Sequence, residues 1–164
     1  MDNKLLDALV EYPAKVIQKI GTDRTVISLL TNDPSIDMDS DKADEVFDRY
    51  LFDYGYVDST TSEAAAYVCV ETDLAHIPTA TIKDMRLYVR IVCHKEFMHI
   101  DPSKFKGMIG NRRDNLAKYI AALLDGDNTF GVGQLDLLSC RAAPAPTGFA
   151  ARELAYKVSD FKSK

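Results

Sequence analysis

Residues 81–94, TIKDMRLYVRIVCH, alternate so regularly that few conformations suit them. Met85, Leu87, Val89, Ile91 and Cys93 take every second position, and Asp84, Arg86, Tyr88 and Arg90 fill the gaps. Successive side chains of a strand point to opposite faces, so this spacing predicts a β-strand with one face on a core and the other toward water or a partner. Residues 67–73 read as a shorter strand upstream, and 74–80, which contain Pro78, as the loop of a long hairpin.

The strongest helical signal follows. Asn111 is a good N-cap, and Leu116, Tyr119, Ile120, Leu123 and Leu124 recur at i, i+3, i+4, i+7 and i+8 until Gly126. Residues 132–141 and 151–161 form a second strand pair, joined by the alanine- and proline-rich 142–150, AAPAPTGFA. Two strands, one long amphipathic helix and two more strands predict an α+β fold: a largely antiparallel four-stranded sheet with the helix packed on one face.

Short helices precede this core. Leu5, Leu6, Leu9 and Val10 make an apolar stripe that Pro13 interrupts or restarts, and Val16, Ile17 and Ile20 continue to Gly21. Asp23 caps a third helix carrying Val26, Ile27, Leu29 and Leu30, which Asn32 and Pro34 end. Residues 33–58 then turn acidic, with nine Asp or Glu against Lys42 and Arg49, yet they hold Phe47, Tyr50, Phe52, Tyr54 and Tyr56. That is too aromatic for a linker. We read a helix over 40–50 followed by an extended arm that docks against something. The organisation is a helical N-terminal region with its arm, 1–60, and a hairpin–helix–hairpin core, 61–164, within one structural domain overall.

Composition narrows the function. A net charge of −5 is a poor basis for general nucleic-acid binding, which draws its affinity from Lys and Arg. No apolar run approaches the roughly 18–20 residues of a membrane span, and residues 1–10 lack the pattern of a secretory signal, so the expected location is the cytoplasm of the producing cell. Cys69, Cys93 and Cys140 are odd in number and widely spaced, which suggests neither disulfides nor a thiolate zinc site; each sits in a strand-like run as a small hydrophobe.

Catalytic patterns are weak. Asp37, Asp39 and Asp41 begin like a calcium loop, but Lys42, Asp44 and Asp48 stand where glycine, an apolar residue and a bidentate glutamate belong. His94, His99 and Asp101 follow the main strand without a ligand spacing of predictive weight. Ser139 and Cys140 lack an adjacent base, and Gly131-Val132-Gly133 precedes a strand instead of opening a helix. No catalytic residue, cofactor or metal ligand is assigned.

Gly107-Met108-Ile109-Gly110 is a GxxG, the motif with which KH domains clamp a nucleic-acid backbone, but Asp101-Pro102-Ser103 upstream reads as a turn and not as the helix a KH loop requires. Lys104, Lys106, Arg112, Arg113 and Lys118 gather around the start of the long helix, where anions are welcome. With Asp37, Asp39, Asp41 and Asp44 in the acidic segment, this basic cluster suggests a head-to-tail contact between copies that closes into a ring.

The order of elements, with the stretch NRRDNLAKYIAALLDGDNTFGVGQLDLLS running from helix into strand, resembles the tail terminator and neck (tail-completion, head–tail joining) proteins of long-tailed bacteriophages over about residues 60–164. The acidic aromatic segment is not part of that pattern. The resemblance implies a non-enzymatic virion protein with no cofactor: a homohexameric ring on the last ring of tail-tube protein, which stops tube growth and meets the head–tail connector. DNA would only pass through the lumen, and no membrane is involved. Arg86, Tyr88 and Arg90 become candidate subunit or tube contacts, and the loops 74–80 and 142–150 would reach axial neighbours. Assembly is expected in the host cytoplasm and residence in the virion. Two alternatives are a KH-like nucleic-acid module on 107–110 and a small metal-dependent enzyme on His94, His99 and Asp101.

Overall fold

The alternating segment becomes β3 (Ile82–His94), the middle strand of a sheet in the computed structural model, which describes residues 4–57, 60–79, 82–128 and 134–161. The other strands are β1 (Leu51–Phe52), β2 (Ala66–Thr79), β4 (Leu135–Ala143) and β5 (Phe149–Phe161), in the order β1-β2-β3-β5-β4. Every neighbouring pair is antiparallel except β1, which runs parallel to β2. The fold is therefore α+β, as expected, but the sheet has five strands and is mixed. A two-residue strand carries too little periodicity to be seen in a sequence.

Met85, Leu87, Val89, Ile91 and Cys93 are fully buried, so the alternation assigns the inner face as read. Helices α1 (Lys4–Gly21), α2 (Arg24–Thr31) and α5 (Arg112–Leu124) contribute to the same core, with α1 against β2 and α5 against β3 and β5. The core is one cluster: Val16, Ile20 and Ile27 from the N-terminal helices join Leu87, Leu116 and Leu154 from the remainder.

Pro13 does not divide α1. It removes one N–H, but Ala8, Tyr12, Val16 and Ile20 form a buried i, i+4 stripe that holds the helix across the gap. The buried stripe is not the one the leucines suggested, since Leu6 is 47% and Val10 73% exposed. Gly21 serves close approach, because a Cβ there would collide with the ring of Phe47. Asp23 caps α2 as expected, accepting from the N–H of Val26 at 3.0 Å, and Asn32 ends it with φ 56°.

The helix expected over 40–50 is two single turns, α3 (Asp41–Asp44) and α4 (Val46–Arg49), with Ser40 capping the first. The arm after it docks: the rings of Phe52 and Tyr56 stack with centroids 4.1 Å apart, and Tyr56 leans on Tyr67. The expected loop 74–80 is instead strand as far as Thr79. Pro78 falls inside a ladder irregularity between His76 and Thr79, in a part of β2 that β1 does not reach, where a missing N–H costs little. Strand β4 begins at Leu135, and the connection to β5 narrows to 144–148. The ends of the expected strands at Thr81 and Val132, the loop end at Ala80 and the Gly131-Val132-Gly133 motif lie outside the described residues.

Candidate functional site

The outer face of the sheet presents its side chains in cross-strand rows. Asp73, Arg86, Lys157 and Asp136 form one row; Glu71, Tyr88, Ala155 and Ser139 the next; Cys69, Arg90, Glu153 and Arg141 a third. Opposite charges in such rows satisfy one another, and Arg90 donates to Glu153 at 3.0 Å. Arg86, Tyr88 and Arg90 thus share a face with no helix over it among the described residues, in a charge pattern partly closed on itself. A hollow of about 290 Å³ lies there, lined by Cys69, Glu71, Asp73, Tyr88, Arg90 and Glu153 and bordered by the arm at Gly55. Burial pushes the Cys69 thiol up, while hydrogen bonds from the backbone of Tyr56 and Val57 act the other way. The arm thus reaches one side of the hollow at Gly55.

The basic cluster divides. Lys104, Lys106 and Lys118 are exposed, whereas Arg112 is 1% exposed and belongs to the core. Its guanidinium donates to the carbonyls of Phe97, Leu29 and His99 and to the Asn32 side chain, at 2.6 to 3.2 Å, and stacks 3.9 Å over the Phe97 ring. A side chain with its donors so engaged is not available to another copy, which corrects its place among the interface candidates. Arg113 is half-buried, donating to Asp114 at 2.9 Å and to the Ala151 carbonyl. Asp114 also receives Arg152 at 2.6 Å and the Asn111 amide at 3.0 Å. Burial opposes its charge, but these hydrogen bonds outweigh it and hold the carboxyl at about 2.

Asp37, Asp39, Asp41 and Asp44 are all exposed. Asp37 accepts from the N–H of Asp39 at 3.0 Å, and Asp41 and Asp44 lie in the first turn of α3, where the helix dipole favours them. Nearby, Asp33 is held below the usual carboxylate range, chiefly by a hydrogen bond from Lys42, with Lys104 contributing. Part of the acidic–basic complementarity is therefore satisfied inside one chain.

The 107–110 loop leads from turns into α5, and both glycines have positive φ, 80° and 87°. Asn115 donates to the Ile109 carbonyl at 2.8 Å, which fixes the loop, and the Ile109 side chain is 87% exposed. His94 accepts from the N–H of Glu96 and packs edge-on against Phe149; Asp101 caps Ser103. Among the described residues no three His, Cys, Asp or Glu side chains gather as metal ligands, and no helix is long and apolar enough to cross a membrane. Cys69 and Cys93 are buried, and burial pushes the Cys93 thiol up to about 12; Cys140, on β4, is exposed and is not the buried hydrophobe expected.

Three exposed apolar features escaped the sequence reading. One is Ile109. Another is Leu138, 51% exposed beside a register shift in β4. The third is a groove of about 460 Å³ between α1, α4 and β1, floored by Ile17, Phe47, Leu51 and Phe52 with Asp48 and Asp53 at its rim. Only the last had a sequence signal, the second stripe Leu6, Val10, Ala14 and Ile17 at helical spacing.

The sequence model of one family, YomW, matches residues 23–158, most of the chain. Its name is of phage-derived origin, which associates the chain with a bacteriophage. No curated protein matches.

Proposed function

The chain belongs to the YomW family, and on that premise we propose that it is a virion protein acting as a tail terminator. Copies form a ring, a hexamer by the resemblance of element order, on the last ring of tail-tube protein. The ring stops tube growth and receives the head–tail connector, while DNA passes through the lumen. Assembly takes place in the host cytoplasm and the product stays in the virion neck.

The observation that carries this reading is the pair of unlike sheet edges. At one side β1 covers only two residues of β2; at the other, β4 offers nine residues with no strand beyond them among those described. Free edges invite pairing, and unlike edges pair head to tail, the geometry that closes into rings. β1 and β2 run one way and β4 the other, so a neighbour in the same orientation would add β4 beside β2 antiparallel.

The test is to incubate the purified chain with tail tubes and image their ends, and to measure its mass in solution alongside. A ring at one tube end is the expected result. Tubes that stay uncapped, or a virion map that places the chain away from the neck, would overturn it.

A further inference from the structure

We infer that copies of this chain dock by inserting the loop 104–110 of one into the α1–α4–β1 groove of the next. The inference rests on the ring reading above and adds the surface that would close the ring.

Ile109 is the most exposed large apolar side chain among those described, at 87%. An isoleucine so presented is a loss in water unless something covers it. Its backbone is also anchored, because Asn115 donates to the Ile109 carbonyl at 2.8 Å. A fixed apolar tip loses little entropy on binding. Lys104 and Lys106 precede it in the same loop, both exposed, on either side of the buried Phe105.

The groove has the opposite character. Its floor is Ile17, Phe47, Leu51 and Phe52, and its rim carries Asp48 and Asp53, exposed and without an ion pair among the described residues. An apolar knob with two lysines meets an apolar hollow with two aspartates, so shape class and charge agree on one occupant, a second copy of the same chain. Knob and groove are different surfaces of one molecule, so the contact is heterologous and propagates until it closes.

The experiment uses the full chain and reads assembly in solution by sedimentation and on tail tubes by imaging. Ile109→Asp, and separately Asp48→Lys with Asp53→Lys, should each weaken assembly by about tenfold or more with an unchanged melting temperature, since all three side chains are exposed. Mixed together, these two variants retain one good knob and one good groove and should form a one-to-one pair that grows no further. Adding Lys104→Glu and Lys106→Glu to the rim-reversed variant should restore assembly. Rings that form on tubes regardless of every variant overturn this inference and leave the terminator reading standing. A wild-type chain that assembles neither in solution nor on tubes overturns both. Salt-sensitive binding of a single-stranded oligonucleotide, lost with the two lysines while assembly is unmoved, assigns the loop to a phosphate backbone and also overturns it.

Discussion

Arg112 ties three separate stretches together: the end of α2 through Leu29 and Asn32, the turn after β3 through Phe97 and His99, and the start of α5, where it sits. A buried guanidinium is costly unless its donors are satisfied, and here carbonyl oxygens do this, including one near the negative end of α2. Arg112→Leu strands those acceptors, at roughly 1–3 kcal/mol for each left unsatisfied. We expect a loss of about 3 kcal/mol or more, read as a lower urea midpoint, and Arg112→Lys to recover little because an ammonium cannot fork across four acceptors. The burial was legible in retrospect: 112, 116 and 120 share the i, i+4 stripe of the best helix, but a charged residue beside Arg113 reads first as surface. Asp114 gives a pH signature. Its folded carboxyl lies at about 2 against an ordinary 3.8, so its contribution is full above about pH 5 and fades as pH falls through 4 toward 2. Since it is 40% exposed, solvent screening reduces this to about 1 kcal/mol, and Asp114→Asn should flatten that part of the stability–pH curve. Tyr156 is buried, and its hydroxyl has no hydrogen-bond partner among the described residues. Tyr156→Phe removes that polar atom and should raise stability by about 1 kcal/mol in the same urea measurement.

At the scale of elements, sequence periodicity located what packing repeats and missed what the sheet supplies. The period of two in β3 and the stripe and cap of α5 are legible in the sequence because each element buries one face. In the upper part of β2, Pro78 signals a loop to the sequence, but the strand carries it at an irregularity between His76 and Thr79. β1 exists only because the arm reaches β2, so no local signal announces it. The lone-edge status of β4 has a measurable consequence. Strand β3 is paired on both sides over its length and β4 on one, among the described residues. Amide exchange should therefore be slowest in β3 and β5 and faster along β4, with protection rising in β4 when assembly covers its edge. Exchange in β4 that is as slow as β3 in dilute solution would show that the edge is already covered.

For the whole molecule, the question is which exposed surfaces are costs of the fold and which await a neighbour. The outer sheet face is charged and partly self-paired, as Arg90 with Glu153, and can remain in water. Leu138 is different: it stands half-exposed in an edge strand, at a register shift between Leu137 and Ser139 that turns the ladder locally. Natural edge strands often carry lysine at such points to prevent pairing, and this one carries leucine. If β4 receives the next subunit, Leu138→Lys supplies the missing deterrent. Ring formation on tail tubes should then fall by about tenfold or more, a loss of roughly 1.4 kcal/mol per tenfold, while the isolated chain keeps its melting temperature because the side chain already faces solvent. The sequence could not have marked this residue, since an exposed and a buried leucine in a strand look alike until the strand order places one of them at the rim. Tube-capping counts for the wild type and Leu138→Lys, taken at equal protein concentration, decide it: equal counts mean that the sheet ends at β4 in the virion as it does among the described residues of the single chain.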